Sequence, residues 1–211
     1  MIIRCKCKNG CGISEEELDL VAEDIMKGEL VVYPTETVYG VGANIFDEAA
    51  VKKLYVAKNR PFDMPLSVAV SDKSMAEDIA FVDKRADKLF DAFLPGPLTI
   101  IIKKRPNVPD IVTSMSNKVG IRIPDHQVPI SIIKRTGVPI ITTSANVHSH
   151  PDAVRMEEAE KDLGAHVKTY IDCGPCTLGK PSTIVWLMGK KMEIVRQGAI
   201  TRKQIEDVLN A

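Results

Sequence analysis

Val31-Val32-Tyr33-Pro34-Thr35-Glu36-Thr37-Val38-Tyr39-Gly40-Val41-Gly42 opens as an apolar run and closes on two glycines. Val31 to Tyr33 predicts a buried strand, because a short β-branched and aromatic run suits a pleated surface. Pro34 ends the ladder, since it has no N–H and its ring fixes φ. Thr35, Glu36 and Thr37 then fall just past a strand end, where open α/β sheets bind ligands. Gly40 and Gly42 let backbone approach whatever sits there. The same residues also fit a plain strand, turn and second strand, so the rest of the chain must decide.

Working outward, Ser14 and Glu17 form a capping box for a helix with Leu18, Val21, Ala22 and Ile25 on one face, ended at Gly28. Residues before it predict a short edge strand and a Gly-rich turn. Asp47 caps a helix carrying Val51, Leu54 and Tyr55, which runs out at Lys58-Asn59-Arg60-Pro61. Leu66 to Val70 reads as a strand, and an Asp- and Lys-rich solvated surface helix follows, through Phe93. Pro95-Gly96-Pro97 breaks it, and Leu98 to Ile102 is a buried strand.

Val119 to Ile123 alternates around Arg122, and a helix from Val128 to Arg135 leads into the strand Val138 to Asn146. Met156 to Leu163 is a helix and Val167 to Ile171 a strand. Thr183 to Leu187 and Met192 to Val195 form a hairpin through Gly189-Lys190. Thr201 and Gln204 box the last helix, with Ile205, Val208 and Leu209 inward. These elements predict a single α/β domain over residues 1–211 with a mixed, largely buried sheet.

The chain has 211 residues, 45% apolar and 27% charged, with 28 basic and 28 acidic side chains. A balanced charge leaves no global footprint for nucleic acid, so any anion site is a local patch. No run approaches the ~20 apolar residues of a membrane span. With no signal-peptide core at the N-terminus, the expected compartment is the cytoplasm. Cys5, Cys7, Cys11, Cys173 and Cys176 are expected as reduced thiols there, with a zinc site the alternative.

Lys58 and Arg60 can cap a helix dipole or hold phosphates. Arg122, on a sheet buried on both sides, needs an anion: an internal Glu or Asp, or a bound carboxylate or phosphate. Thr142-Thr143-Ser144-Ala145-Asn146 sets hydroxyls and an amide at a second strand end, or is simply a polar turn. Gly174 to Ser182 comes within one residue of a P-loop, but Pro181 takes the hydroxyl slot and a strand follows, so a P-loop NTPase is rejected. The loop can still offer N–H groups and Ser182 to an anion. Arg196 reaches the same mouth or is a surface arginine. His148-Ser149-His150 is a solvated loop before it is half a metal site.

Tyr33-Pro34-Thr35-Glu36-Thr37-Val38-Tyr39-Gly40, Lys58-x-Arg60-Pro61, Pro95-Gly96-Pro97-Leu98-Thr99, Arg122-Ile123-Pro124, Ser144-Ala145-Asn146, Ser182-Thr183-Ile184-Val185 and Arg196-x-Gly198 occur in this order. Together they resemble the YrdC-like threonylcarbamoyl-AMP synthases, in the single-domain form. The resemblance implies a twisted, mixed parallel and antiparallel open α/β sheet, flanked by helices, with a basic concave face. It implies a nucleotidyltransferase that condenses L-threonine, bicarbonate and ATP into threonylcarbamoyl-AMP and pyrophosphate. The product would serve N6-threonylcarbamoyladenosine formation at tRNA position 37, through a separate transferase complex.

By position, Thr35, Arg122, Thr142 and Ser182 would contact threonine or its carbamate. Lys58, Arg60, Ser144, Asn146 and Arg196 would hold ATP, with Lys58 and Arg60 the catalytic cations. Magnesium would come with the nucleotide, and no protein-bound metal is expected. The chain departs from the family pattern at Met64, where Asn is common, at Ala69, where His is frequent, and at Val147-His148-Ser149. The alternative is a non-catalytic module binding tRNA or double-stranded RNA on the same basic concavity. For the synthase itself, only weak contact with such RNA is expected.

Overall fold

A computed structural model describes residues 1–5, 12–189 and 192–211. Its centre is one mixed ten-stranded sheet, in the order β1-β8-β2-β3-β7-β4-β6-β5-β9-β10. The left half comprises β1 (Ile2–Arg4), β8 (Thr169–Asp172), β2 (Val31–Tyr33), β3 (Gly40–Gly42) and β7 (Ile140–Ser144). The right half comprises β4 (Ser67–Ala69), β6 (Lys118–Arg122), β5 (Leu98–Lys103), β9 (Thr183–Trp186) and β10 (Glu193–Arg196).

β1, β8 and β2 run parallel, whereas β2, β3, β7 and β4 are successively antiparallel. β4 is parallel to β6, and β5 is parallel to β9. Parallel neighbours far apart in sequence require helical crossovers, and these put helices on both faces.

Among the described residues, seven α-helices flank the sheet: α1 (Glu15–Met26), α2 (Glu48–Ala57), α3 (Lys73–Ile79), α4 (Lys84–Phe93), α5 (Gln127–Thr136), α6 (Met156–Leu163) and α7 (Arg202–Asn210). The Ser14 and Thr201 capping boxes form as expected. Leu18, Val21 and Ile25 of α1 join Val128, Ile132 and Ile133 of α5 over Val31, Tyr33, Ala69, Ile140 and Ile171. Val51, Leu54, Leu89, Phe90, Ala159 and Leu163 pack with Val32, Val41, Val68, Ile100 and Ile121 on the opposite face. On the α1/α5 side the apolar cover reaches β4 and stops. Residues of that same face further along, such as Thr99 and Arg122, are left to form a cavity.

Two expectations are corrected. The segment through Phe93 is two helices, parted at Ala80–Asp83, and both bury apolar residues. Asp83 supplies the restart by accepting hydrogen bonds from the Arg85 and Ala86 N–H groups. The second correction concerns the cysteines. β1 lies beside β8 with Arg4 opposite Asp172, so Cys5 meets Cys173 and the two are disulfide-bonded. Cys176 is a half-buried free thiol whose burial pushes it up to about 11. Cys7 and Cys11 lie outside the described residues, among which no cluster of His, Cys, Asp and Glu could hold a metal.

Candidate functional site

The sheet reverses direction several times near its middle, and strand ends meet there. β2, β6, β7 and β10 finish at this point, while β3, β4, β5 and β9 begin. A cavity of ≈ 160 Å³ sits at the junction. Seven of the nine residues expected in a site line it. Thr35, Arg122, Thr142 and Ser182 do so, as do Arg60, Ser144 and Arg196. Lys58 and Asn146 are not on its wall; they lie behind Ser144.

Pro34 turns the chain out of β2, and the Thr35 hydroxyl then organises the loop. It accepts the N–H groups of Thr37 and Val38 and donates to the Val38 carbonyl at 2.6 Å. Arg122, 6% exposed, ends β6. Its guanidinium donates to Glu36 Oε1 at 2.6 Å, to Thr37 Oγ1 at 2.8 Å and to the Gly96 carbonyl at 3.2 Å. The anion that burial demanded is therefore an internal carboxylate, and Arg122 still lines the cavity. Glu36 is held in turn by the Asp125 N–H.

Arg60 follows the C-terminus of α2. It donates to the carbonyls of Met64 at 3.1 Å and Pro65 at 2.9 Å. Met64 also receives the Tyr55 hydroxyl on the same carbonyl, so what the loop uses at this position is backbone. The departure from Asn there leaves that contact intact. Arg196 is registered by β9: it donates twice to the Ser182 carbonyl and once to Ser182 Oγ, which pairs with Thr99 Oγ1 at 2.9 Å.

The Arg-x-Gly spacing has a steric cause. A Cβ at Gly198 would fall 2.2 Å from the Pro181 carbonyl oxygen and 2.5 Å from the Thr183 nitrogen. Only glycine lets the two segments touch, and its N–H reaches Thr183 Oγ1 at 2.9 Å.

Three guanidinium groups thus share one cavity with a ring of hydroxyls. Burial lowers Arg60 and Arg196 from the ordinary guanidinium value, and for Arg196 the charges of Arg122 and Arg60 add to the effect against Asp152. Lys58 is pulled down to about 7, chiefly by burial and then by Arg60, with Asp152 and Asp162 opposing. Such a site suits anions that carry hydroxyl or amine donors beside them.

Ser67, Thr99 and Thr143 also line the cavity; the sequence points to Thr143 only within the strand-end hydroxyl cluster and to Thr99 only within the Pro95 to Thr99 motif, and gives Ser67 no role. Thr99 left a signal, as the lone hydroxyl inside the apolar run Leu98 to Ile102. In the His148-Ser149-His150 loop, His150 Nδ1 lies 3.1 Å from Asp162, and the His150 carbonyl accepts from Asn146.

The family model named Sua5_yciO_yrdC, described as telomere recombination, matches residues 23–198. A relative from Methanocaldococcus jannaschii is 41% identical over 192 residues, 89% of this chain and 90% of its own. A Bacillus subtilis protein named threonylcarbamoyl-AMP synthase is 36% identical, over 93% of this chain and 57% of its own. Among solved structures, Pyrococcus abyssi Sua5 complexed with L-threonine superposes with a TM-score of 0.93 at 33% identity, covering 99% of this chain and 60% of that one. This chain therefore spans a little over half the length of the longer relatives. With the matched model covering most of its residues, the chain belongs to the Sua5/YciO/YrdC family.

Proposed function

We propose that this chain is an L-threonylcarbamoyladenylate synthase and that residues 1–211 work as one domain. The single observation that carries the reading is the meeting of Arg60, Arg122 and Arg196 with hydroxyl groups in one small cavity. Arg122 is already paired with Glu36, whereas Arg60 and Arg196 donate to carbonyl and hydroxyl oxygens. Partly buried cations favour anions, and threonine and ATP supply a carboxylate and a triphosphate. The relatives named threonylcarbamoyl-AMP synthase and the threonine complex of Pyrococcus abyssi Sua5 support that choice. A module that only bound RNA backbone would have no need of a hydroxyl-lined cavity this small.

In this reading Thr35, Thr142 and Ser182 hold threonine and its carbamate, with Arg122 at the carboxylate. Arg60 and Arg196 take the phosphates, and Ser144 contributes to the nucleotide side. Threonine's amine adds to carbon dioxide drawn from bicarbonate and loses a proton, giving a carbamate. A carbamate oxygen then attacks the α-phosphorus of ATP in line, and the bond to the bridging oxygen breaks to release pyrophosphate. The residues supply position and charge, and the step needs no protein nucleophile. Magnesium travels with ATP as part of the substrate, because guanidinium and hydroxyl groups line the cavity. A transferase complex would take the product to position 37 of tRNA.

Pyrophosphate release tests the assignment. It should require ATP, threonine and bicarbonate together; release that ignores threonine overturns it.

A further inference from the structure

Lys58 closes α2 and is 2% exposed. Its ammonium donates to the Ser144 carbonyl, to the Asn146 carbonyl at 2.6 Å and to Asn146 Oδ1 at 3.3 Å. Its own carbonyl accepts the His148 N–H at 2.7 Å. Both ends of the residue are thus tied to the chain segment that follows β7. Charged, the nitrogen has three hydrogens and three oxygens to take them; as a neutral amine it has two, which the two backbone carbonyls take, so neither form leaves one for a phosphate.

This arrangement also fixes which way the neighbouring groups point. The His150 carbonyl can only accept, so the Asn146 amide turns its nitrogen to it and its oxygen towards Lys58. The amide nitrogen then donates to the His150 carbonyl at 2.6 Å. Ser144 Oγ lies 2.6 Å from that same amide oxygen, so it must be the donor. With its hydrogen engaged, the Ser144 hydroxyl has lone pairs left for the cavity it lines.

We propose that Lys58 is a positioning residue: it sets the shape and hydrogen-bond polarity of the Ser144-Ala145-Asn146 turn, so that Ser144 accepts from a nucleotide hydroxyl or amine, and Lys58 itself touches no phosphate. The proposal rests on the reading of this cavity as a nucleotide site, but its first test does not.

That test is backbone hydrogen exchange on the full chain without substrates, comparing wild type with Lys58→Met. Loss of the ammonium should speed exchange of the amides at 145–150 by about tenfold or more, while α1 and α5 stay protected. Unchanged exchange at 145–150 overturns the proposal. Asn146→Ala serves as a second variant, should Lys58→Met fail to fold, and should loosen the same segment.

The other arm is titration with inorganic pyrophosphate and with ATP. Lys58→Met should weaken ATP and leave pyrophosphate unchanged, since the arginines hold the latter. Equal losses for both ligands would make Lys58 a phosphate ligand and overturn the proposal. If neither ligand binds wild type, the synthase reading fails and the exchange result still decides the role of Lys58.

Discussion

Single residues at this site differ in what opposes their charge, and the differences predict different failures. Among the described residues Arg60 is steadied by two carbonyls and no carboxylate, so Arg60→Ala should weaken ATP use by ~1.5–3 kcal/mol, the range for a charged hydrogen bond. Initial rates against ATP concentration check it. Arg122 is different because it sits buried against Glu36. Glu36→Ala would strand a buried guanidinium and should lower folding stability by ~3–5 kcal/mol in urea denaturation.

Lys58 predicts a pH effect. Folded, it titrates near 7; unfolded, near 10.5. Between those values the unfolded chain holds more protons, so stability rises with pH and is lost as pH falls towards 7. Arg60, Asp152 and Asp162 are the charged groups that act on it. Urea midpoints from pH 7 to 10 should therefore climb more in wild type than in Lys58→Met.

The sequence disclosed that Arg122 needed an anion but not which one, since Glu36 is 86 positions away and pairing across a sheet leaves no local mark. Lys58 was harder: its position beside Arg60 pointed to phosphate, and only the return of β7 supplies the oxygens that occupy it.

At the scale of elements, caps and breaks were legible because they are written within a few residues. Ser14 with Glu17, Asp47, Pro34 and Pro95 all act on near neighbours. The division of the Asp- and Lys-rich segment into α3 and α4 was missed, because charged residues mask a break flanked by the buried Ala76, Ile79, Ala80, Ala86, Leu89 and Phe90. Beyond the β9–β10 hairpin, which forms as expected, strand order was out of reach, since each crossover joins partners distant in sequence.

One element junction carries a prediction. Gly198→Ala must push apart the 181–183 segment and the end of β10. It should destabilise by ~1–3 kcal/mol and also raise the ATP requirement, because Arg196 is registered by the same contact. Paired melting and kinetic measurements check both.

For the whole molecule, the Cys5–Cys173 bond closes a separation of 168 residues, from the edge strand to the loop leading to Ser182. Cross-links over long loops restrict the unfolded chain most, so Cys5→Ser should lower stability by ~2–4 kcal/mol. Denaturant curves with and without reductant check this, and the reductant effect should vanish in the variant.

The cavity draws its wall from positions 35 to 196, with no short segment supplying it. Met115 is 79% exposed on the turn between β5 and β6. A single proteolytic nick there would leave Arg60 on one fragment and Arg122 with Arg196 on the other. With the Cys5–Cys173 bond reduced, so that nothing covalent joins the pieces, turnover surviving such a cut would measure how firmly two halves of a severed sheet clasp each other, making the protein a reporter of its own fragment complementation.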